Sequence, residues 1–189
     1  MKWQVVNSLS NTKEVLEAYK KYVIQQARSN LSKGNKNVSK QLYNNIKGEI
    51  LSEKDYFLLG FSMPDYGFYQ DEGVKGADPS QVSKNAKVKG QQAPNSRFKF
   101  KRRIPSAPFE QWAKFRNIRL RDAKGKFAKG NYKSIGFIIA KNVWARGIKP
   151  SLFFTKPFED GYKKYIDTDL IKAFGDDIET LIDYTITNK

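Results

Sequence analysis

Val15, Tyr19, Val23 and Ala27 recur every four residues, with Leu16 and Tyr22 broadening the same stripe. That spacing matches a helix with one buried face and commits the start of the chain to a long amphipathic helix. Asn11 or Thr12 can cap it, and Glu14 falls in the first turn, where the helix dipole favours a carboxylate. The pattern runs to about Leu31. Near the other end, Leu170, Phe174, Ile178, Leu181 and Ile182 repeat at helical spacing within Leu170 to Ile186. Gly175 weakens that second helix by about 1 kcal/mol relative to alanine.

Between these helices the pattern changes. Trp3 to Val6 reads as a short strand or a docked terminus, and Ser32 to Val38 reads as a loop. Ser39 can cap a short helix in which Leu42, Ile46 and Ile50 share a face. Tyr56 to Phe61 is an apolar run stopped by Met63-Pro64-Asp65, a strand followed by a turn. Tyr66 to Asp71 is the next strand candidate. Arg97 to Lys101 alternates with period two, as a hairpin arm or a segment that orders on binding. Pro105 and Pro108 open a helix from Phe109 to about Asn117, with Phe109, Trp112 and Ala113 on its buried side. Ile135, Ile138, Ile139, Ala140 and Val143 form the core stripe of a further helix. It ends at Gly147, where a left-handed backbone costs glycine little, and Pro150 prevents continuation. Thr155 can cap the next turn, with Pro157 near its start.

The expected fold class is α+β: a long N-terminal helix and C-terminal helices packed on a small antiparallel β-sheet, with long basic loop excursions. The expected organisation is one domain over residues 1–189. It carries a flexible basic insertion at about 76–103 and a C-terminal helical extension at about 167–189. No internal repeat or long heptad series is present.

Charge is distributed unevenly. Pro79 to Phe158 holds twenty Lys/Arg against Glu110 and Asp122, while the whole chain has a formal net charge of +16. After Phe158, four basic residues face eight acids. Such a field attracts phosphate backbones or acidic protein surfaces and resists self-association unless it is neutralised. No apolar run approaches a membrane span and no signal-peptide core opens the chain, so the expectation is a protein without a membrane partner, kept inside the cell that makes it or built into a particle there. Cysteine and histidine are both absent. Disulfides, Cys/His zinc sites, thiol nucleophiles and imidazole bases are therefore excluded; Ser-Lys, Tyr-Lys and carboxylate-metal chemistry stay open, but no residue pair singles itself out for them, and the expectation is a non-enzyme with no cofactor.

The stretch Lys84 to Arg103 has eight basic residues and no acid: Lys84, Lys87, Lys89, Arg97, Lys99, Lys101, Arg102 and Arg103. It reads as an arm that lies along phosphates or an acidic protein, with Phe98 and Phe100 stacking on bases or docking on protein, or else as a solvated loop. Arg119 and Arg121 extend the same surface. Gly125 to Gly130, "GKFAKG", lacks the Gly-Lys-Ser/Thr of a phosphate loop and reads as a mobile turn. Asp65, Asp71 and Glu72 do not converge as a metal site requires and read as surface charge. The C-terminal acids Asp167, Asp169, Asp176, Asp177, Glu179 and Asp183 oppose the basic middle, as partners between copies or as a polar helix face. Phe153, Phe154 and Phe158 form the densest apolar patch, a core or subunit contact.

The order of segments resembles the tail-completion and head–tail joining proteins of tailed bacteriophages. "SKQLYNNI" (Ser39 to Ile46) stands at the family's short-helix segment. "YGFYQDEGVKG" (Tyr66 to Gly76) stands at its Tyr-Ala-x-x-x-Glu-x-Gly-Thr strand, with Tyr66 on the tyrosine and Gly73 on the glycine. Gly67 stands where alanine is usual, Glu72 directly precedes the glycine, and Val74 replaces the threonine. "PSAPFEQWAKFRNI" (Pro105 to Ile118) fits the proline-led helix with Trp112. "IGFIIAKNVWARGIKPSLFFTKPF" (Ile135 to Phe158) fits the helix ending at Gly147 and the Pro-Phe start of the last helix, with Phe158 in place, although Ser151-Leu152 stands where a proline is usual. The resemblance covers about Val15 to Ile186, and the Gly76 to Ser96 insertion is longer than the family norm. It implies a structural virion protein of the neck or tail, assembled in the host cytoplasm. Such a protein forms a homo-oligomeric ring that joins the portal or adaptor region to the tail. Non-specific contact with DNA is compatible with that role. The alternative reading is a free, non-specific nucleic-acid-binding protein that uses residues 84–133.

Overall fold

A computed structural model describes residues 9–34, 39–53, 56–84, 86–121, 124–128 and 130–187, with side chains of the last helix described to Asp183. Trp3 to Val6 and residues 35–38 of the expected loop lie outside the described residues. The fold is α+β. The chain divides into two compact units: residues 1–67 with 152–189, and residues 68–151.

The first unit is organised by helix α1 (Ser10–Lys33), whose buried residues Leu16, Tyr19, Val23, Ala27 and Leu31 continue the apolar stripe. Thr12 is buried with them inside the first turn, rather than standing ahead of it as a cap. A short helix α2 (Gln41–Asn45) ends at Ile46, which is already extended at φ −74° and ψ 117°. The expected continuation to Ile50 is instead strand β1 (Lys47–Ser52). It pairs antiparallel with β2 (Phe57–Ser62), Lys47 opposite Ser62 and Ser52 opposite Phe57. Gly48 is a poor helix residue, and pairing with the apolar run of β2 outweighs weak helical periodicity. Ala27, Leu31, Leu42, Ile46 and Phe153 form the core of this unit.

Helix α6 (Thr155–Gly161), a π-helical stretch (Tyr162–Leu170) and helix α7 (Ile171–Thr187) follow one another and lie along α1. An aromatic cluster joins them to the hairpin: Tyr19 meets Phe158 at 5.9 Å and Tyr165 at 6.2 Å, and Phe61 meets Phe154 at 5.5 Å. Edge-on and tilted rings at these separations add to simple area burial. The Tyr19 hydroxyl donates to the Phe158 carbonyl at 3.0 Å.

Helix α3 (Tyr66–Glu72) replaces the expected strand. It starts from the Pro64 turn, where the Gly67 amide donates to the Pro64 carbonyl at 2.8 Å. Gly67 and Asp71, four apart, are the buried positions, whereas Tyr66, Phe68 and Tyr69 are exposed. A strand would have put Tyr66 and Phe68 on one protected face.

The second unit is built on helices α4 (Ala107–Phe115) and α5 (Tyr132–Arg146). Their contact uses small groups: Ala113 is buried, and a Cβ on Gly136 would lie 2.8 Å from the Ser106 carbonyl oxygen and the Glu110 amide nitrogen. Trp112, expected on the buried side, is 39% exposed, and Ile138 is exposed as well. Close approach of two backbones selects Ala113 for the contact line and turns the larger neighbours outward. Strand β3 (Val74–Lys75) pairs antiparallel with β4 (Gly147–Ile148), and Lys75 also bridges in parallel to Lys99. The Arg97 to Lys101 segment is therefore the third strand-like element here and not a hairpin arm. Gly73 and Gly147 have φ of 74° and 90°, and a Cβ on either would collide with backbone of the opposing strand. Gly147 pairs its positive φ with an extended ψ of −173°, not the left-handed helical value expected.

Candidate functional site

Division into units sharpens the charge pattern. Residues 68–151 carry twenty Lys/Arg and five Asp/Glu, so +15 of the chain's +16 resides in the second unit. Lys84, Lys87, Lys89, Arg97, Lys99, Lys101, Arg102, Arg103, Arg119 and Arg121 are all exposed.

The 76–103 segment that presents most of them is not the free loop expected. The last turn of α5 leaves four carbonyls without intrahelical partners, and this segment supplies most of the missing donors. The amides of Ala77, Asp78 and Gln92 donate to the carbonyls of Trp144, Ala145 and Arg146 at 2.9, 3.2 and 2.8 Å. The Gly147 amide takes the Val143 carbonyl. The Gln91 side chain then clamps Gly76, accepting from its amide at 2.6 Å and donating to its carbonyl at 3.1 Å. Asp78 caps a 3-10 turn (Pro79–Gln81), and bonds from the Ser80 hydroxyl, the Gln81 amide group and the Ser80 backbone hold its carboxyl below the usual range. Burial pulls the Arg146 guanidinium below its usual value while its Nη1 donates to the Val88 carbonyl at 3.1 Å.

On this frame the basic residues fall into groups with different freedom. Arg97 is committed: its guanidinium lies 2.6 Å from the Glu72 carboxylate and over the Phe98 ring at 4.8 Å. Phe98 meets Tyr69 edge-on at 4.7 Å and is half-buried, as is Phe100, so neither ring is offered for stacking. Arg103 lies over the Trp144 ring at 5.3 Å. Arg119 and Arg121 converge on Phe127, at 5.7 and 4.5 Å from its ring, where a bridge pairs Arg121 with Phe127 across Gly125. The "GKFAKG" segment is thus a tight turn over its described residues, and Lys129 lies outside them. Phe127 and Phe137 are exposed aromatics that the sequence reading did not single out. For Phe127 the available signal was its place among Lys124, Lys126 and Lys129, whereas Phe137 stands in the apolar run Ile135 to Ile139 and carries no such signal.

Of the two expectations for Phe153, core or subunit contact, the structure places it in the core, at 1% exposure. Phe154 packs on that core, and Phe158 belongs to the aromatic cluster. Asp71 and Glu72 are not simple surface charge, since Asp71 is buried and Glu72 pairs with Arg97. Among the described residues no three acids converge as a metal site would require. Two surface hollows have volumes of about 590 and 350 Å³, the larger lined by α1 with Tyr43 and the smaller by residues between Ile118 and Ile135. In the larger, Arg28 is used by the Tyr43 and Ile46 carbonyls at 3.0 and 3.2 Å. Among the described residues no helix is long and apolar enough to cross a membrane. What the arrangement offers chemically is a wide cationic surface carried on a braced scaffold.

No protein-family model, curated protein or solved structure matches this chain.

Proposed function

We propose that this chain is a structural subunit of a tailed-bacteriophage neck or tail, one that forms a ring and joins the portal or adaptor region to the tail. The observation that carries the reading is the segregation of charge: +15 of the +16 lies in one compact unit, and the acid-rich 159–189 segment belongs to the other. A subunit with one cationic and one acid-bearing surface can neutralise its own field by joining to copies or neighbours. The order of motifs from Ser39 to Phe158 supports the same role, except that Tyr66–Glu72 is a helix where the family element is a strand. Large apolar side chains stand exposed in both units, as expected of a protein completed by its partners. It acts without catalysis, through complementary surfaces around a channel compatible with DNA.

The second reading, a free nucleic-acid binder, is favoured by Arg119, Arg121 and Phe127 on one exposed turn. Light scattering and electron microscopy at about 0.15 M and 0.5 M salt, with and without short duplex DNA, separate the two. A discrete ring-shaped oligomer that forms without DNA is expected. A monomer that holds duplex tightly, with affinity falling steeply as salt rises, would replace the ring reading with the second one.

A further inference from the structure

The hairpin of the first unit leaves a strand edge open. Among the described residues its two strands have no third neighbour. The Glu53 amide donates to the Tyr56 carbonyl at 3.0 Å. Bonded and non-bonded pairs alternate from there, so Leu51–Leu58 and Glu49–Gly60 are bonded pairs and the backbone groups of Phe57, Leu59 and Phe61 point away from β1. Among the described residues no hydrogen bond from outside the hairpin reaches those three.

Edge strands are ordinarily guarded against pairing by charged side chains, proline or a bulge. On β1, Lys47 and Glu49 are exposed, and Gly48 is covered by Lys20 and Ile24 of α1. β2 has no such guard. Tyr56 to Ser62 holds no charge and no proline, and the ladder with β1 is unbroken. Its outer face is apolar, with Tyr56 60% and Leu58 53% exposed, while a Cβ on Gly60 would meet nothing within 4 Å.

The fit of this edge to itself identifies the occupant. With β2 antiparallel to a second β2 about a two-fold axis at Leu58, Phe57 of each copy exchanges backbone bonds with Leu59 of the other. Outward groups then meet outward groups. Leu58 faces Leu58 as a non-bonded pair, whose Cα atoms approach to about 4.5 Å. Leu51, exposed and paired with Leu58 in each hairpin, extends this contact to a row of four leucines across the joined sheet. In the same register Tyr56 of each copy lies opposite Gly60 of the other, and an aromatic ring across from a strand glycine covers the backbone that glycine leaves bare. Charge agrees: the unit that holds β2 carries +1 of the chain's +16, whereas joining copies through the other unit would set +15 against +15.

We infer that β2 is a self-docking edge, on which two copies pair β2 to β2 and build one four-stranded antiparallel sheet. The contact is isologous and closes on itself as a dimer. It stands apart from the ring reading; where both hold, rings are joined in pairs.

The chain has no cysteine, so single cysteines in the full-length protein report the contact directly. Under a mild oxidant Leu58→Cys is expected to link to its own counterpart and run at twice the single-chain 21.8 kDa, because the pair lies within disulfide reach. Leu51→Cys, equally exposed, would lie three strand spacings, about 14 Å, from its counterpart and should not link. Tyr56→Cys and Gly60→Cys should each stay unlinked alone and link when mixed. Leu58→Lys puts like charges on the axis and should halve the mass of the wild-type oligomer, read by sedimentation velocity at about 100 μM chain, a range that captures micromolar contacts. Circular dichroism checks that helix content is unchanged, and the cysteine results decide if it is not. Leu58→Cys that links no faster than Leu51→Cys would overturn the pairing. A 56/60 mixture that stays unlinked would overturn the register and the self-fit with it. Rings whose mass ignores Leu58→Lys would keep the ring reading and overturn this contact. Dimers alone, dissociated by Leu58→Lys, would keep this contact and overturn the ring.

Discussion

The Asp177 carboxylate on α7 accepts from the Thr12 backbone amide at 2.8 Å and from the Thr12 hydroxyl at 2.7 Å, closing the first turn of α1 across 165 residues of sequence. The Asn11 amide adds a third bond at 3.2 Å. Leu9, the residue before the helix, provides no side-chain cap, so a tertiary carboxylate satisfies the amides that a local Ser or Asp would ordinarily take. A negative charge at a helix N-terminus also meets the positive end of the helix dipole.

Asp177 ties this contact to pH. Burial pushes its carboxyl up, but the bonds from Thr12 and Asn11 outweigh that and hold it below the usual carboxylate range. A carboxyl depressed in the folded state contributes stability that is fully present above its unfolded value of about 4 and is lost as pH falls through the folded value. Asp177→Asn is expected to lower stability by about 1–2 kcal/mol at neutral pH, the scale of a lost helix cap. It should also flatten the acid limb of stability against pH. Denaturant unfolding at several pH values checks both, and an unchanged acid limb in the variant would show that other carboxylates set it.

Helical period was the most legible part of the sequence, and which face it served was the least. The stripe from Leu16 to Leu31 is the buried side of α1, which packs on the C-terminal helices and the hairpin. On α7 the same type of stripe marks the exposed row, while Ala173 and Asp177 go inward. Hydrophobicity alone cannot separate a face meant for the chain's own core from one left outside. The helix Tyr66–Glu72 was misread because its aromatics alternate as they would in a strand, whereas its burial follows Gly67 and Asp71. Residues 76–103 looked free because they have little to bury. They are held by backbone donors that α5 needs, a demand that leaves no mark in composition. The basic residues lie exposed, but the ring contacts that occupy Arg97 and Arg103 depend on Phe98 and Trp144 being brought beside them.

The bracing of 76–103 makes its exchange behaviour distinctive. The amides of Ala77, Asp78 and Gln92 are expected to exchange slowly, in step with the last turn of α5, while exposed amides near Lys87 and Gly90 exchange fast. Gln91→Ala removes both clamps on Gly76 and should cost about 1–3 kcal/mol of local stability, because it strands half-buried backbone groups. Hydrogen exchange by mass spectrometry reads both effects. Uniformly fast exchange over the whole segment would mean that the helix end is satisfied by water instead.

Gly136 sets the distance between α4 and α5. Since the groups nearest a new Cβ are backbone atoms of Ser106 and Glu110, they cannot swing away as a side chain would. Gly136→Val is expected to cost about 1–3 kcal/mol through overpacking, although valine is a better helix residue than glycine. Gly175→Ala, at a position with open space around it, should instead stabilise its helix by up to about 1 kcal/mol. Thermal unfolding of the two variants should move in opposite directions, and equal shifts would argue against close α4–α5 contact.

Tyr19 supplies the alkaline counterpart of Asp177. Burial, with Tyr162 nearby, pushes its phenol up to about 12. The neutral hydroxyl is the form that donates to the Phe158 carbonyl, so folding favours the protonated state. For a group whose folded value is raised, stability is fully present below the unfolded value, about 10 for tyrosine, and is lost as pH rises through the folded value. The loss should therefore fall between about pH 10 and 12. Spectrophotometric titration should show a latest phase from Tyr19, above that of Tyr66, which burial also pushes up, together with loss of helix. Tyr19→Phe removes the phenol but keeps the ring in its cluster with Phe158 and Phe61. It should cost about 0.5–1.5 kcal/mol near neutral pH, the net worth of one hydrogen bond, and remove the late-ionising phase. A titration unchanged by the substitution would assign that phase to another tyrosine and separate alkaline unfolding from the α1–α6 contact.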